Sequence, residues 1–120
     1  MEIQRQFYLD ELIRKQGNGF VKIITGLRRC GKSYLLRTIF KNHLLANGIK
    51  PEQIVEMAFD ERDNKKFCDP DVFYEFAKEK LAQQPDTIFL LDEIQLLGDF
   101  ESVLNGLLGK NAEIYATGSN

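Results

Sequence analysis

Eight residues near the first quarter of the chain, Gly26-Leu27-Arg28-Arg29-Cys30-Gly31-Lys32-Ser33, meet the spacing G-x-x-x-x-G-K-[ST] in full. Two glycines at that spacing let a backbone wrap closely round a phosphate and turn successive N–H groups inward at the start of a helix. Lys32 then carries a mobile positive charge toward β- and γ-phosphates, and Ser33 offers a hydroxyl to Mg²⁺. The flanks have the right character. Phe20-Val21-Lys22-Ile23-Ile24-Thr25 is a β-branched run of strand type, and Leu35, Leu36, Ile39, Phe40 and Leu44 recur at helical spacing behind the loop. Strand, glycine loop and helix in this order predict a nucleoside triphosphate site, with Gly26 to Tyr34 as its lining.

About sixty residues on, Thr87-Ile88-Phe89-Leu90-Leu91-Asp92-Glu93 runs an apolar strand into two adjacent acids, a Walker B pattern. A parallel strand buried on both faces needs apolar residues throughout, and ligands gather at its carboxyl end. Asp92 is expected there to hold Mg²⁺, and Glu93 to polarise the attacking water as general base. Adjacent acids also favour the first turn of a helix, which is the plainer role for this pair. A last strand, Ala112 to Ala116, delivers Thr117-Gly118-Ser119-Asn120. A polar side chain at such a strand end can sense a terminal phosphate. Ser119 is the first candidate and Asn120 the second, against the simpler reading of a polar turn.

These residues together resemble the prokaryotic AAA-type P-loop ATPases, whose loop has the form G-x-R-R-x-G-K-[ST] and whose second motif reads L-D-E-I-Q. Arg28-Arg29 and Asp92-Glu93-Ile94-Gln95 carry the likeness, along with Ile3, Arg5, Tyr8, Leu9 and Leu12 in a leading helix, Asp60, and Thr117-Gly118-Ser119. The resemblance implies a three-layer α/β/α sandwich with a parallel sheet in the order 5-1-4-3-2. This chain would supply four strands and lack the fifth, so it would be the N-terminal portion of an ATPase domain that continues, in the family, into a lid and a separate C-terminal domain. The cofactors implied are ATP and Mg²⁺. Tyr34 departs from the pattern, standing where the family often has a second Thr, so a side-chain contact to the α-phosphate is not expected from it.

Charge is distributed unevenly. Residues 1–50 hold ten Lys or Arg and three acids, whereas residues 51–120 hold six and fifteen, for a net charge of −2. The basic half contains the loop, so Arg28, Arg29, Lys32 and Arg37 read as a field for polyphosphate, and nucleic acid is not supported as a partner. No apolar run reaches membrane-spanning length and the N-terminus lacks the order of a secretion signal, so a cytoplasmic protein is expected. Two cysteines fit a reducing compartment. Cys30 would sit by a helix N-terminus and Lys32, which favour thiolate.

The remaining elements follow from periodicity and punctuation. A helix is expected from about Gln4 to Lys15, then a turn at Gly17-Asn18-Gly19. The helix from Lys32 should end at Asn47-Gly48, and Pro51 should introduce a strand near 54–59. Residues 60–66 read as a polar connection. Asp69 should cap a helix with Pro70 at its first position and Val72, Phe73, Phe76, Ala77 and Leu81 inward. A helix near 100–108 should turn Val103, Leu104, Leu107 and Leu108 inward. With no fifth strand, residues 20–25 would form an open edge, guarded by Lys22 and prone to pair with another copy of the chain as a homo-oligomer. Three functions fit in descending order: an ATPase, a nucleotide-gated switch with little turnover, and a small-molecule kinase, which seldom needs a Glu beside its Walker B Asp.

Overall fold

The computed structural model describes residues 9–11, 13–14, 21–24 and 31–118. Strands β1 (Lys22–Ile24), β2 (Ile54–Ala58), β3 (Ile88–Asp92) and β4 (Glu113–Thr117) form one sheet. Every pairing is parallel, and the spatial order is β1-β4-β3-β2. That is the four-strand portion of the expected 5-1-4-3-2 order. Helix α1 spans 32–46, α2 is Pro70–Gln83 and α3 is Phe100–Leu108.

The sheet is covered on both faces because its central strands are apolar on both. All five residues of β3 are buried. On one face Ile88, Leu90, Ile24 and Tyr115 pack against Leu35, Leu36, Phe40 and Leu44 of α1, with Leu9 and Ile13 at the margin. On the other, Phe89, Leu91, Ile114 and Ala116 meet Phe73, Ala77 and Leu81 of α2 and Val103, Leu104 and Leu107 of α3. Phe40 and Tyr115 touch at a 4.6 Å centroid distance, both fully buried. Each such side chain contributes about 1.5–3 kcal/mol.

Helix α1 is not uniform: Lys32–Tyr34 and Lys41–Ala46 are α-helical, but Leu35–Phe40 between them is a π-helix. A wider turn brings residues five apart onto one side, so Leu35 and Leu36 both face the sheet with Phe40. The helix ends at Asn47, and Gly48 takes φ 96°, a conformation that suits glycine. Ile49 N–H then reaches back to the Leu44 carbonyl at 3.1 Å, and Ile49 packs on the α1 cluster. At α2, Asp69 accepts from the amides of Asp71 and Val72, and Pro70 occupies the first helical position. A cap of this kind is worth ~1 kcal/mol.

Two expectations need correction. Lys22 does not guard an exposed edge: strand alternation puts it on the α1 face, 5% exposed, with its ammonium 4.9 Å above the Tyr115 ring. Ile23 is the exposed residue of β1. Val72 is 42% exposed, because the buried stripe of α2 runs through Phe73, Ala77 and Leu81 and leaves Val72 at its margin. Leu108 does turn inward, half-buried against the core at the end of α3. The polar connection at residues 60–66 carries a 3₁₀ helix, Arg62–Cys68, that sets Phe67 against Phe76 at 4.9 Å. The first half of the expected leading helix lies outside the described residues, while 9–11 and 13–14 are helical. Among the described residues no helix is long and apolar enough to cross a membrane.

Candidate nucleotide site

Because every pairing is parallel and β4 lies between β1 and β3, the carboxyl ends of these three strands share one rim of the sheet, which the Ser33–Asp92 contact brings beside the N-terminus of α1. Of the predicted loop lining, Gly31, Lys32, Ser33 and Tyr34 are described; Gly26, Leu27, Arg28, Arg29 and Cys30 lie outside the described residues. Gly31 has φ 73° and ψ 49°, the left-handed conformation that turns the chain into α1. Glycine adopts it without the Cβ penalty that any other residue there would carry. Having no side chain, Gly31 also supplies no capping acceptor to the first amides of the helix.

Lys32 and Ser33 open α1, and both turn toward the end of β3. Ser33 Oγ donates to Asp92 Oδ2 at 2.7 Å, across 59 residues of sequence. Asp92 is the last residue of β3 and only 3% exposed. Its other carboxylate oxygen, Oδ1, accepts from the Thr117 hydroxyl at the end of β4. Burying a carboxylate is expensive unless it is hydrogen-bonded and compensated by positive charge. Two hydroxyl donors satisfy its directional needs, and the Arg37 guanidinium feels its charge.

Glu93, the next residue, leaves the strand with φ 57° and ψ 54° and precedes a short 3₁₀ turn, Ile94–Leu96. A non-glycine residue in that region costs about 1–2 kcal/mol and is held there by its surroundings. Its backbone N–H donates to Thr117 Oγ1 at 2.9 Å. Its carboxylate accepts from Gln95 Nε2 at 2.7 Å and stands 3.9 Å from Lys32 Nζ. The two adjacent acids therefore diverge: Asp92 turns into the buried rim with Ser33, and Glu93 turns to the lysine.

The donor set suits a hard divalent cation. Asp92 supplies carboxylate oxygen and Ser33 a hydroxyl whose lone pairs stay available while its proton is engaged by Asp92. Among the described residues there is no group of three or more His, Cys, Asp or Glu that could hold a metal by themselves.

Tyr34 is 52% exposed beside an open groove lined by Gly31, Ser33, Arg37, Thr38 and Glu56. Arg37 does not stand as a free cation for polyphosphate. Its Nε donates to Glu56 Oε2 at 2.8 Å, and Lys41 Nζ donates to Glu56 Oε1 at 2.8 Å. Burial pushes the Glu56 carboxyl up, but the hydrogen bonds and charges of Lys41 and Arg37 outweigh it and hold Glu56 below the usual carboxylate range. Burial likewise works against the Arg37 charge, and Glu56 reverses it.

Thr117 is the residue that sequence reasoning passed over in favour of Ser119 and Asn120, which lie outside the described residues. It is fully buried and contacts both acids. Its signal was a β-branched hydroxyl in the last position of a buried strand, where Val or Ile would be the usual choice.

Comparison with known proteins agrees with this architecture. The model of the AAA domain family matches residues 18–120. An uncharacterized protein of Haemophilus influenzae is 35% identical over 120 residues, covering 98% of this chain and 30% of its own length. The chain thus spans about three tenths of the curated relative it matches. No solved structure matches it. A parallel sheet in the order β1-β4-β3-β2, a loop that enters a helix through Gly31, and a family match across 18–120 lead to one conclusion: the chain belongs to the AAA domain family.

Proposed function

We propose that this chain binds ATP with Mg²⁺ and hydrolyses it, as the N-terminal portion of an ATPase domain in a longer cytoplasmic protein whose downstream domain carries the output. The observation that supports this most directly is the 2.7 Å hydrogen bond from Ser33 to Asp92. It unites the last residue of the loop motif with the acid of the strand motif. Neither a turn-forming role for the loop nor a capping role for the acids requires that contact.

Mg²⁺, when bound, would neutralise phosphate charge and fix the reacting phosphate in line. Ser33 and Asp92 would hold it. Lys32 would neutralise the β- and γ-phosphates, and the backbone from Gly26 to Tyr34 would wrap the polyphosphate with its amides. Glu93 would take a proton from the attacking water, with Ser119 or Asn120 orienting that water. The 3.9 Å separation of Lys32 Nζ and Glu93 Oε2 supports a reading in which one terminal phosphate would meet both the lysine and the base. Glu93 is engaged by Gln95 and Lys32 in this conformation, which also favours a second reading, a switch that binds ATP and turns over slowly.

The test is ATP binding and single-turnover hydrolysis by the full-length protein, compared with Lys32→Ala and Glu93→Gln. Lys32→Ala should lose most ATP affinity. Glu93→Gln should keep ATP and Mg²⁺ bound while slowing hydrolysis by roughly 10²-fold or more. Equal affinity in wild type and Lys32→Ala would sink the nucleotide reading, and negligible wild-type turnover with tight binding would leave the switch.

A further inference from the structure

The Thr117 hydroxyl is the shared anchor of the two acids. It receives the Glu93 backbone N–H at 2.9 Å, and an amide can only donate. The hydroxyl has one proton, so that proton is free to go to Asp92 Oδ1, the other close partner, which as a carboxylate can only accept. The two contacts fix the hydroxyl in a single orientation, inside a residue with no exposed surface.

Through this group Thr117 acts on both acids at once. It holds one Asp92 oxygen and so leaves the other aimed at Ser33. It also ties down the amide of Glu93 while that residue sits at φ 57°, the turn that separates the Glu93 carboxylate from the strand and sends it to Lys32. Thr117 is further in register with Ile24, and the next amide, Gly118 N–H, donates to the Ile24 carbonyl at 3.1 Å, at the point where β1 gives way to the loop. Thr117 and the Gly118 amide that follows it therefore connect the ends of β1, β3 and β4.

We infer that Thr117 is a positioning residue: its buried hydroxyl sets the direction of Asp92 toward the cation and the backbone turn that presents Glu93, without touching nucleotide itself. This rests on the ATP and Mg²⁺ reading above. Outer partners of this kind typically change metal affinity or activity by about 10–100-fold when removed.

The experiment uses full-length protein with Thr117→Val, which keeps the shape and removes the hydroxyl, Thr117→Ser, which keeps the hydroxyl, and Thr117→Ala as a second variant lacking it. Two quantities are read: the Mg²⁺ concentration that half-saturates binding of a non-hydrolysable ATP analogue, and kcat and KM for ATP. Thr117→Val and Thr117→Ala should both need about 10–100-fold more Mg²⁺ and lose kcat by a similar factor, with binding of the analogue in the absence of Mg²⁺ unchanged. Thr117→Ser should remain close to wild type in both. Wild-type Mg²⁺ dependence in either hydroxyl-free variant overturns the inference, as does a Ser variant as impaired as Val, since packing rather than the hydroxyl would then matter. If Val does not fold, Ala against Ser decides. A wild-type protein that fails to bind the analogue at any Mg²⁺ concentration overturns the nucleotide reading instead, and this inference with it.

Discussion

Replacing Asp92 with Asn should separate the needs of folding from those of the site. Asp92 is a 3% exposed carboxylate that accepts from Ser33 and Thr117, and hydrogen bonds to a charged group contribute about 1.5–3 kcal/mol each. Opposing them is the several-kcal/mol penalty for taking a carboxylate out of water. Asn has nearly the same shape, its carbonyl can still accept one hydroxyl, and the other hydroxyl can rotate to accept from its amide. The two losses nearly cancel, so the ligand-free variant should be as stable as wild type within about 1 kcal/mol, or slightly more stable. Ligand changes this. At 100 times its Kd, Mg²⁺ with a non-hydrolysable ATP analogue should stabilise wild type by about 2.7 kcal/mol. A 100-fold weaker variant at the same concentration would gain only ~0.4 kcal/mol. At about 4 °C per kcal/mol for a chain of this size, that is a rise in Tm of about 10 °C for wild type against 1–2 °C for Asp92→Asn. Thermal unfolding of both proteins with and without Mg²⁺ and analogue measures it. An equal rise in both would refute the assignment of Asp92 to the cation, and a ligand-free variant destabilised by about 3 kcal/mol or more would show the carboxylate to be a structural necessity.

Two further outcomes concern charges outside the site. Lys22 Nζ is buried with no hydrogen-bond partner among the described residues and stands 3.8 Å from Glu113 Oε1, and burial lowers its pKa although Glu113 opposes this. The folded state then binds this proton less tightly than the unfolded chain, so its contribution to stability is present above pH 10.5 and is lost as pH falls through the folded pKa. Lys22→Met should therefore stabilise the protein at neutral pH by roughly 1–2 kcal/mol in urea unfolding, and the gain should shrink toward pH 10. A Met variant less stable than wild type at pH 7 would contradict it. Glu56 links β2 to α1 through Arg37 and Lys41, and its lowered pKa means that this stability is present above about pH 4.5 and is lost as pH falls through the folded pKa. With all three side chains partly exposed, Glu56→Gln should cost about 1 kcal/mol at pH 7 and nothing at low pH where wild-type Glu56 is protonated. An unchanged urea midpoint at pH 7 would show the trio to be a solvated surface cluster.

The local grammar of the chain was legible in its sequence. Periodicity marked β3 as a strand buried on both faces, Asp69-Pro70 marked the start of α2, and Asn47-Gly48 marked the end of α1, because each depends on neighbours a few residues away. The glycine loop and the acid pair could be named as parts of one site because their chemistry demands fixed spacing. What the sequence could not determine is which partner the tertiary structure brings to Lys22, Arg37 and Thr117. Lys22 read as an edge charge until the register placed Tyr115 beneath it. Arg37 read as part of a phosphate field until β2 brought Glu56 against it from 19 residues away. Thr117 read as the end of a strand, and it became the link between two acids only when β4 was inserted between β1 and β3. A linear pattern records which residue types are present, but the direction of a buried hydroxyl or ammonium is decided by whichever partner tertiary packing places within about 3 Å. That partner is fixed by strand order and register, which emerge only when both faces of the sheet are buried at once.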